Sequence, residues 1–146
     1  MFVIVPEVSY LGGNDFAFFI SDTDDFSGAL ASQYLGLFNV SSSGKSADHI
    51  LVVELNTLQN PAVGDINDNH IRIDINSLRS NKSHTAGYYE DSTGLLQNLT
   101  LICSQPMQVW IDFDGEEMQL NVTLSPMGMS KPTALSCPHC PLKLDA

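Results

Sequence analysis

An antiparallel β-sandwich or barrel is the fold class this sequence predicts, and three observations predict it. Apolar and polar residues alternate with period two through several short runs. Clusters of Gly, Asn, Ser and Asp separate those runs, as at Ser41-Ser42-Ser43-Gly44 and Asp91-Ser92-Thr93-Gly94. Helical character is confined to a turn or two around Gly28 to Gln33. Many short strands without intervening helices pack as two antiparallel sheets or close as a barrel.

The elements follow in chain order. The chain opens inside an early strand that stops before Pro6, and Phe16 to Ile20 reads as the next. From Ile50 to Thr57, Ile50, Val52, Glu54 and Asn56 point one way and Leu51, Val53, Leu55 and Thr57 the other. Ile71, Ile73 and Ile75 alternate with Arg72, Asp74 and Asn76. Weaker strands fall at Gly87 to Tyr89 and at Leu99 to Ile102. Val109, Ile111 and Phe113 alternate with Trp110, Asp112 and Asp114. Met118, Leu120, Val122 and Leu124 alternate with Gln119, Asn121 and Thr123. Asp114-Gly115 between the last two is a hairpin turn signal.

The chain of 146 residues is long enough for one domain with its own core, and 43% hydrophobic content argues against disorder. The formal net charge of −11, with six Lys and Arg, disfavours nucleic acid and anionic membrane surfaces as partners and favours cations. Met1 to Val5 lacks a basic lead and stops at Pro6, so it does not read as a signal peptide. No apolar run approaches the roughly 20 residues of a membrane helix. Asn39, Asn81, Asn98 and Asn121 each open an Asn-x-Ser/Thr sequon, and four sequons lean toward a secreted origin.

The stretch from Val52 to Asn76 is rich in oxygen ligands between two strands. Asp65-x-Asn67-x-Asn69 imitates the start of an EF-hand loop, but His70 stands where that loop needs Gly and Asn76 where it needs Glu. A strand–loop–strand bringing Glu54, Asn56, Asn60, Asp65 and His70 together suits a mixed site: carboxylates for Ca²⁺, with imidazole for Mn²⁺. Glu54-Leu55-Asn56-Thr57-Leu58-Gln59-Asn60, Asp65 and His70-Ile71-Arg72-Ile73-Asp74-Ile75-Asn76 together resemble the metal loop of the legume lectins. Phe16 to Ile20, Ala31 to Phe38 and Met107 to Asp112 are similar to stretches of the extracellular lectin domain of plant L-type lectin receptor kinases.

The resemblance spans about residues 3 to 132 and implies a concanavalin-like jelly roll, incomplete at both ends, followed by a tail over 133–146. It implies that Glu54, Asp65 and His70 hold Mn²⁺. Asp65, Asn60 and the Leu58 carbonyl would hold Ca²⁺, with Asp65 bridging the ions. Gln33 and Asn60 would contact a sugar. Asn56 stands where the family has a bridging Asp, and Asn14 where it has a sugar-binding Asp. Asp15 could take the latter role if its loop shifts by one residue. Arg72 replaces a Gly and places a long side chain near the ions.

The function expected is carbohydrate binding with a Ca²⁺/Mn²⁺ site weakened by Asn56. The alternative is a degenerate lectin fragment that pairs with itself or with another lectin domain and binds no sugar. No motif of hydrolase, kinase or dinucleotide chemistry appears. Cys137-Pro138-His139-Cys140 spells a thiol–disulfide pair, but it lies in a Pro-bearing tail with no βαβ context. Cys103 reads as a buried thiol.

Overall fold

A computed structural model describes residues 1–6, 15–45 and 49–135. Asn14, Cys137 and Cys140 therefore lie outside the described residues. Nine strands form three antiparallel sheets among the described residues. β2 (Phe16–Ile20), β3 (Leu51–Asn56), β4 (His70–Ile75) and β5 (Lys82–Thr85) make a four-stranded sheet in sequence order. β1 (Phe2–Ile4) lies beside the hairpin of β8 (Met107–Asp114) and β9 (Gln119–Pro126). β6 (Gly87–Tyr89) and β7 (Leu96–Asn98) form a two-stranded ribbon.

The main core lies where the four-stranded sheet meets the β8–β9 hairpin. Val53, Leu55, Ile71 and Ile73 pack there with Met107, Val109, Leu120, Val122 and Leu124. These are the inward halves of the alternating runs, as a sandwich requires. A second core covers the other face of the four-stranded sheet. There Ile50 and Val52 pack beneath Leu37, Phe38 and Leu78, so β3 is buried on both sides. The chain before Phe38 folds down through a single 3₁₀ turn at Ser32–Tyr34.

Four expectations are corrected. The strand placed at Leu99 to Ile102 lies at Leu96–Asn98 instead. Asn69 explains the shift: its amide donates to the Leu99 carbonyl at 2.7 Å and its oxygen accepts the Leu101 N–H at 2.8 Å, so side-chain bonds replace a ladder. The β8–β9 turn takes four residues, Gly115 to Met118, so Met118 lies in the turn and not in the strand where alternation placed it. Asp114 pairs with Gln119, and the Asp114 carboxylate accepts the N–H groups of Glu116 and Glu117. β5 was missed because Lys82-Ser83-His84-Thr85 has no apolar alternation; pairing with β4 makes it a strand. Cys103 is half-buried against the main core rather than enclosed.

Candidate functional site

Register builds the site. β3 and β4 pair so that Asn56 lies opposite His70, Glu54 opposite Arg72 and Val52 opposite Asp74. Alternation then sends all six side chains to the face that carries the second core. Val52 continues into that core, whereas the polar residues gather at the end of β3 nearest the following loop.

The loop returns a further carboxylate. Backbone bonds from Val63 N to Asn60 O (3.2 Å) and Gly64 N to Pro61 O (3.2 Å) close tight turns. Gly64 has φ +90°, a conformation that L side chains rarely adopt, and it swings Asp65 back under the loop. Asp65 Oδ2 accepts the Asn60 N–H at 2.7 Å, which fixes Asn60 above the buried group.

Arg72 occupies the centre. Its Nε donates to Glu54 Oε2 at 2.5 Å and lies 3.2 Å from Asp74 Oδ2. Its Nη1 donates to Asp65 Oδ1 at 2.7 Å. The guanidinium is buried, as are all three carboxylates, so one cation faces three anions without solvent. Burial opposes charge on Arg72, yet Asp74, Glu54 and Asp65 outweigh it and hold the guanidinium above its usual range. Burial lifts Glu54 to about 7 and Asp74 to about 6, against the pull of Arg72 on both. Burial also depresses His70, against Asp65, and so favours neutral imidazole.

These shifts fix a pH dependence. Glu54 and Asp74 bind protons more tightly folded than unfolded, so their contribution is complete below their ordinary values of 4.5 and 3.8. It is lost as pH rises through about 6 and about 7. The melting temperature is expected to fall between about pH 4.5 and about pH 7. A rise across that window in thermal melts would mean that pairing to Arg72 outweighs burial.

The expected metal ligands do converge, but not as a cation cage. Asn56 Oδ1 is taken by the Leu58 N–H at 2.9 Å. Its amide Nδ2 points at Glu54 Oε1 (3.4 Å) and Asp65 Oδ2 (3.3 Å), presenting hydrogens where a cation needs oxygen. His70 Nε2 lies 3.5 Å from Asp65 Oδ1, and neither ring nitrogen has a hydrogen-bond partner among the described residues. That imidazole, and the Asp74 carboxylate, whose oxygens also lack hydrogen bonds among the described residues, are features an ion would relieve. Any ion between His70 and Asp65, however, would share the oxygen that Arg72 Nη1 already holds. Among the described residues no group of three His, Cys, Asp or Glu side chains is arranged to hold a metal. The residues present do not fit a divalent ion.

Above this buried group lies a cavity of about 640 Å³. Asp15, Gln33, Leu58 and Asn60 line it together with Glu54, Asn56, Asp65 and Arg72. Asp15 Oδ1 accepts the Thr57 N–H at 2.8 Å, and Asn60 Nδ2 donates to Gln33 Oε1 at 3.1 Å. Sequence reasoning placed Arg72 near the site without assigning it a role and missed Asp74. The signal was a basic residue directly across the strand pair from Glu54, on the same face.

The architecture is an antiparallel sandwich with a polar cavity over one sheet end. A profile for the legume lectin domain matches residues 1–144, and the chain belongs to that carbohydrate-binding family. The L-type lectin-domain containing receptor kinase V.9 of Arabidopsis thaliana is 47% identical over 132 residues, covering 90% of this chain. The receptor kinase SIT1 of Oryza sativa subsp. japonica is 41% identical over 133 residues. The chain spans about a fifth of the length of these relatives. Among solved structures, lectin II from Ulex europaeus has a TM-score of 0.64 at 26% identity, over 88% of this chain and 51% of the lectin. The metal-free form of lectin I-B4 from Griffonia simplicifolia has 0.60 at 28%, over 89% and 50%.

Proposed function

We propose that the chain binds a glycan in the cavity bounded by Asp15, Gln33 and Asn60, outside the cell. The observation that carries this reading is the convergence of those three polar side chains, from three separate segments, on one cavity of about 640 Å³. A wide, half-polar depression suits a sugar, whose hydroxyls need paired donors and acceptors. Asn60 offers an amide donor and Asp15 a carboxylate acceptor. Asn14 belongs to the same proposed set, and the extracellular setting follows the receptor kinases.

Binding of the Ca²⁺ and Mn²⁺ that the family resemblance implies at Glu54, Leu58, Asn60, Asp65 and His70 is weakened to the point of loss by Asn56, whose oxygen is engaged elsewhere, and by Arg72, which holds Asp65. Of the four sequons, Asn81 and Asn98 are exposed and open to glycosylation; Asn39 and Asn121 are half-buried.

Retention on immobilised glycans, competed by free sugar, tests the reading. Asn60→Ala is expected to reduce retention about tenfold, the equivalent of about 1.4 kcal/mol for a lost hydrogen bond to ligand. Retention unchanged in Asn60→Ala, or absent from the native chain across a glycan array, would remove the sugar from this cavity. The second reading, pairing with a second copy or another lectin domain, is favoured by edge strand β2. That strand leaves Phe16, Phe18, Phe19 and Ile20 exposed. Sedimentation of the chain as a monomer across its soluble range would argue against it.

A further inference from the structure

We infer that the Arg72 guanidinium is a built-in replacement for a structural cation: it pins the cavity-forming loop to the sheet, and no metal is needed. The loop from Thr57 to Asn69 must be held against β3 and β4 for Asn60 to face the cavity. Its ends are tied by Leu58 N–H to Asn56 Oδ1 and by Asn67 Nδ2 to Thr85 Oγ1, and its middle, where Asn60 sits, is tied through Asp65. Asp65 accepts the Asn60 N–H with one oxygen and Arg72 Nη1 with the other. Arg72 is in turn fixed to the sheet by Glu54 and Asp74. The chain of contacts is therefore loop, Asp65, guanidinium, sheet.

The neighbours agree with a cation that is permanent and covalently attached. Asn56 adds its amide hydrogens to Glu54 and Asp65, doing with a neutral side chain what an anion there could not. An aspartate at 56 would put a fourth carboxylate around one guanidinium, so Asn56 and Arg72 act as a matched pair. Arg72 is a positioning residue that acts through Asp65 on Asn60, although its side chain also borders the cavity floor. The inference concerns how the loop is held, and it stands whether or not the cavity takes a sugar.

Thermal melts and Mn²⁺ titration, free of any glycan assay, test it. The native chain is expected to melt at the same temperature in EDTA and in millimolar Ca²⁺ plus Mn²⁺, and to give no saturable Mn²⁺ signal by electron paramagnetic resonance. Asn56→Asp combined with Arg72→Gly removes the internal cation and supplies a fourth inward carboxylate beside Glu54, Asp65 and Asp74. That double variant is expected to melt lower in EDTA and to regain roughly 5–10 °C with the ions. A native chain that gains stability from the ions or binds Mn²⁺ overturns the inference. A folded double variant indifferent to the ions also overturns it, since Arg72 would then replace nothing. If the double variant folds under neither condition, the titration of the native chain decides alone.

Discussion

Arg72→Ala is expected to cost about 3–5 kcal/mol, the largest effect of any single charged substitution in this chain. The reason is subtraction rather than lost attraction. With the guanidinium gone, Glu54, Asp65 and Asp74 remain buried side by side with no counter-charge. They can be relieved only by taking up protons or by letting water in. The deficit is therefore expected to be smaller at pH 5 than at pH 8, because protonated carboxyls tolerate burial. Arg72→Lys should recover part of the stability, since one ammonium cannot reach three carboxylates from three directions as the planar fork does. Chemical denaturation of the three proteins at both pH values checks the prediction. An alanine variant as stable as the native chain would mean that the cluster is hydrated and weakly coupled to the fold.

The second large effect is placed on the opposite kind of contact. Phe38 is fully buried over Ile50 and Val52 and closes the outer face of the four-stranded sheet. Phe38→Ala is expected to cost about 3–5 kcal/mol, from lost apolar burial and the cavity left behind. The consequence reaches the candidate site. The Phe38 backbone pairs with Leu30 N–H at 2.8 Å and Tyr34 O at 3.1 Å. Tyr34 and Leu35 pack against the same core as its ring, so burying the ring seats the segment that carries Gln33. Phe38→Ala should therefore also weaken glycan retention, although Phe38 does not line the cavity. Phe38→Leu, which keeps most of the apolar volume, should cost roughly half as much. Equal losses in both variants would show that the aromatic ring itself matters, not its volume.

How much of this was legible in the sequence differs by level. The sandwich was legible because alternation survives where strands are half-buried: Val109, Ile111, Leu120, Val122 and Leu124 mark the β8–β9 hairpin without help from structure. β5 was not legible, because an edge strand can owe its conformation to the neighbour it pairs with rather than to its own side chains. The same holds for Asn69, whose side chain redirects the backbone near Leu99 and Leu101 through contacts more than twenty residues away. At the site, the residues to be gathered were legible from the resemblance, and Glu54, Asn56, Asn60, Asp65 and His70 do lie together. The central role of Arg72 was not. It depends on the register that sets Arg72 across from Glu54, and on a loop reversal that turns Asp65 toward the same point. Neither is a property of any one segment.

The burial of β3 on both faces has a consequence for how the chain finds its pairing. One face of β3 offers Val53 and Leu55 to oil; the other offers Val52, then Glu54 and Asn56 to an ionic cluster. A slip of one residue between β3 and β4 would turn Arg72 and Asp74 into the apolar core and leave Glu54 facing isoleucine. A purely aliphatic pair of strands would tolerate such a slip at modest loss. Here it would strand several charges in a dry interior. The ion cluster thus works as a key cut to one alignment of the sheet, selecting against misregistered folds even where its net gift to stability is small.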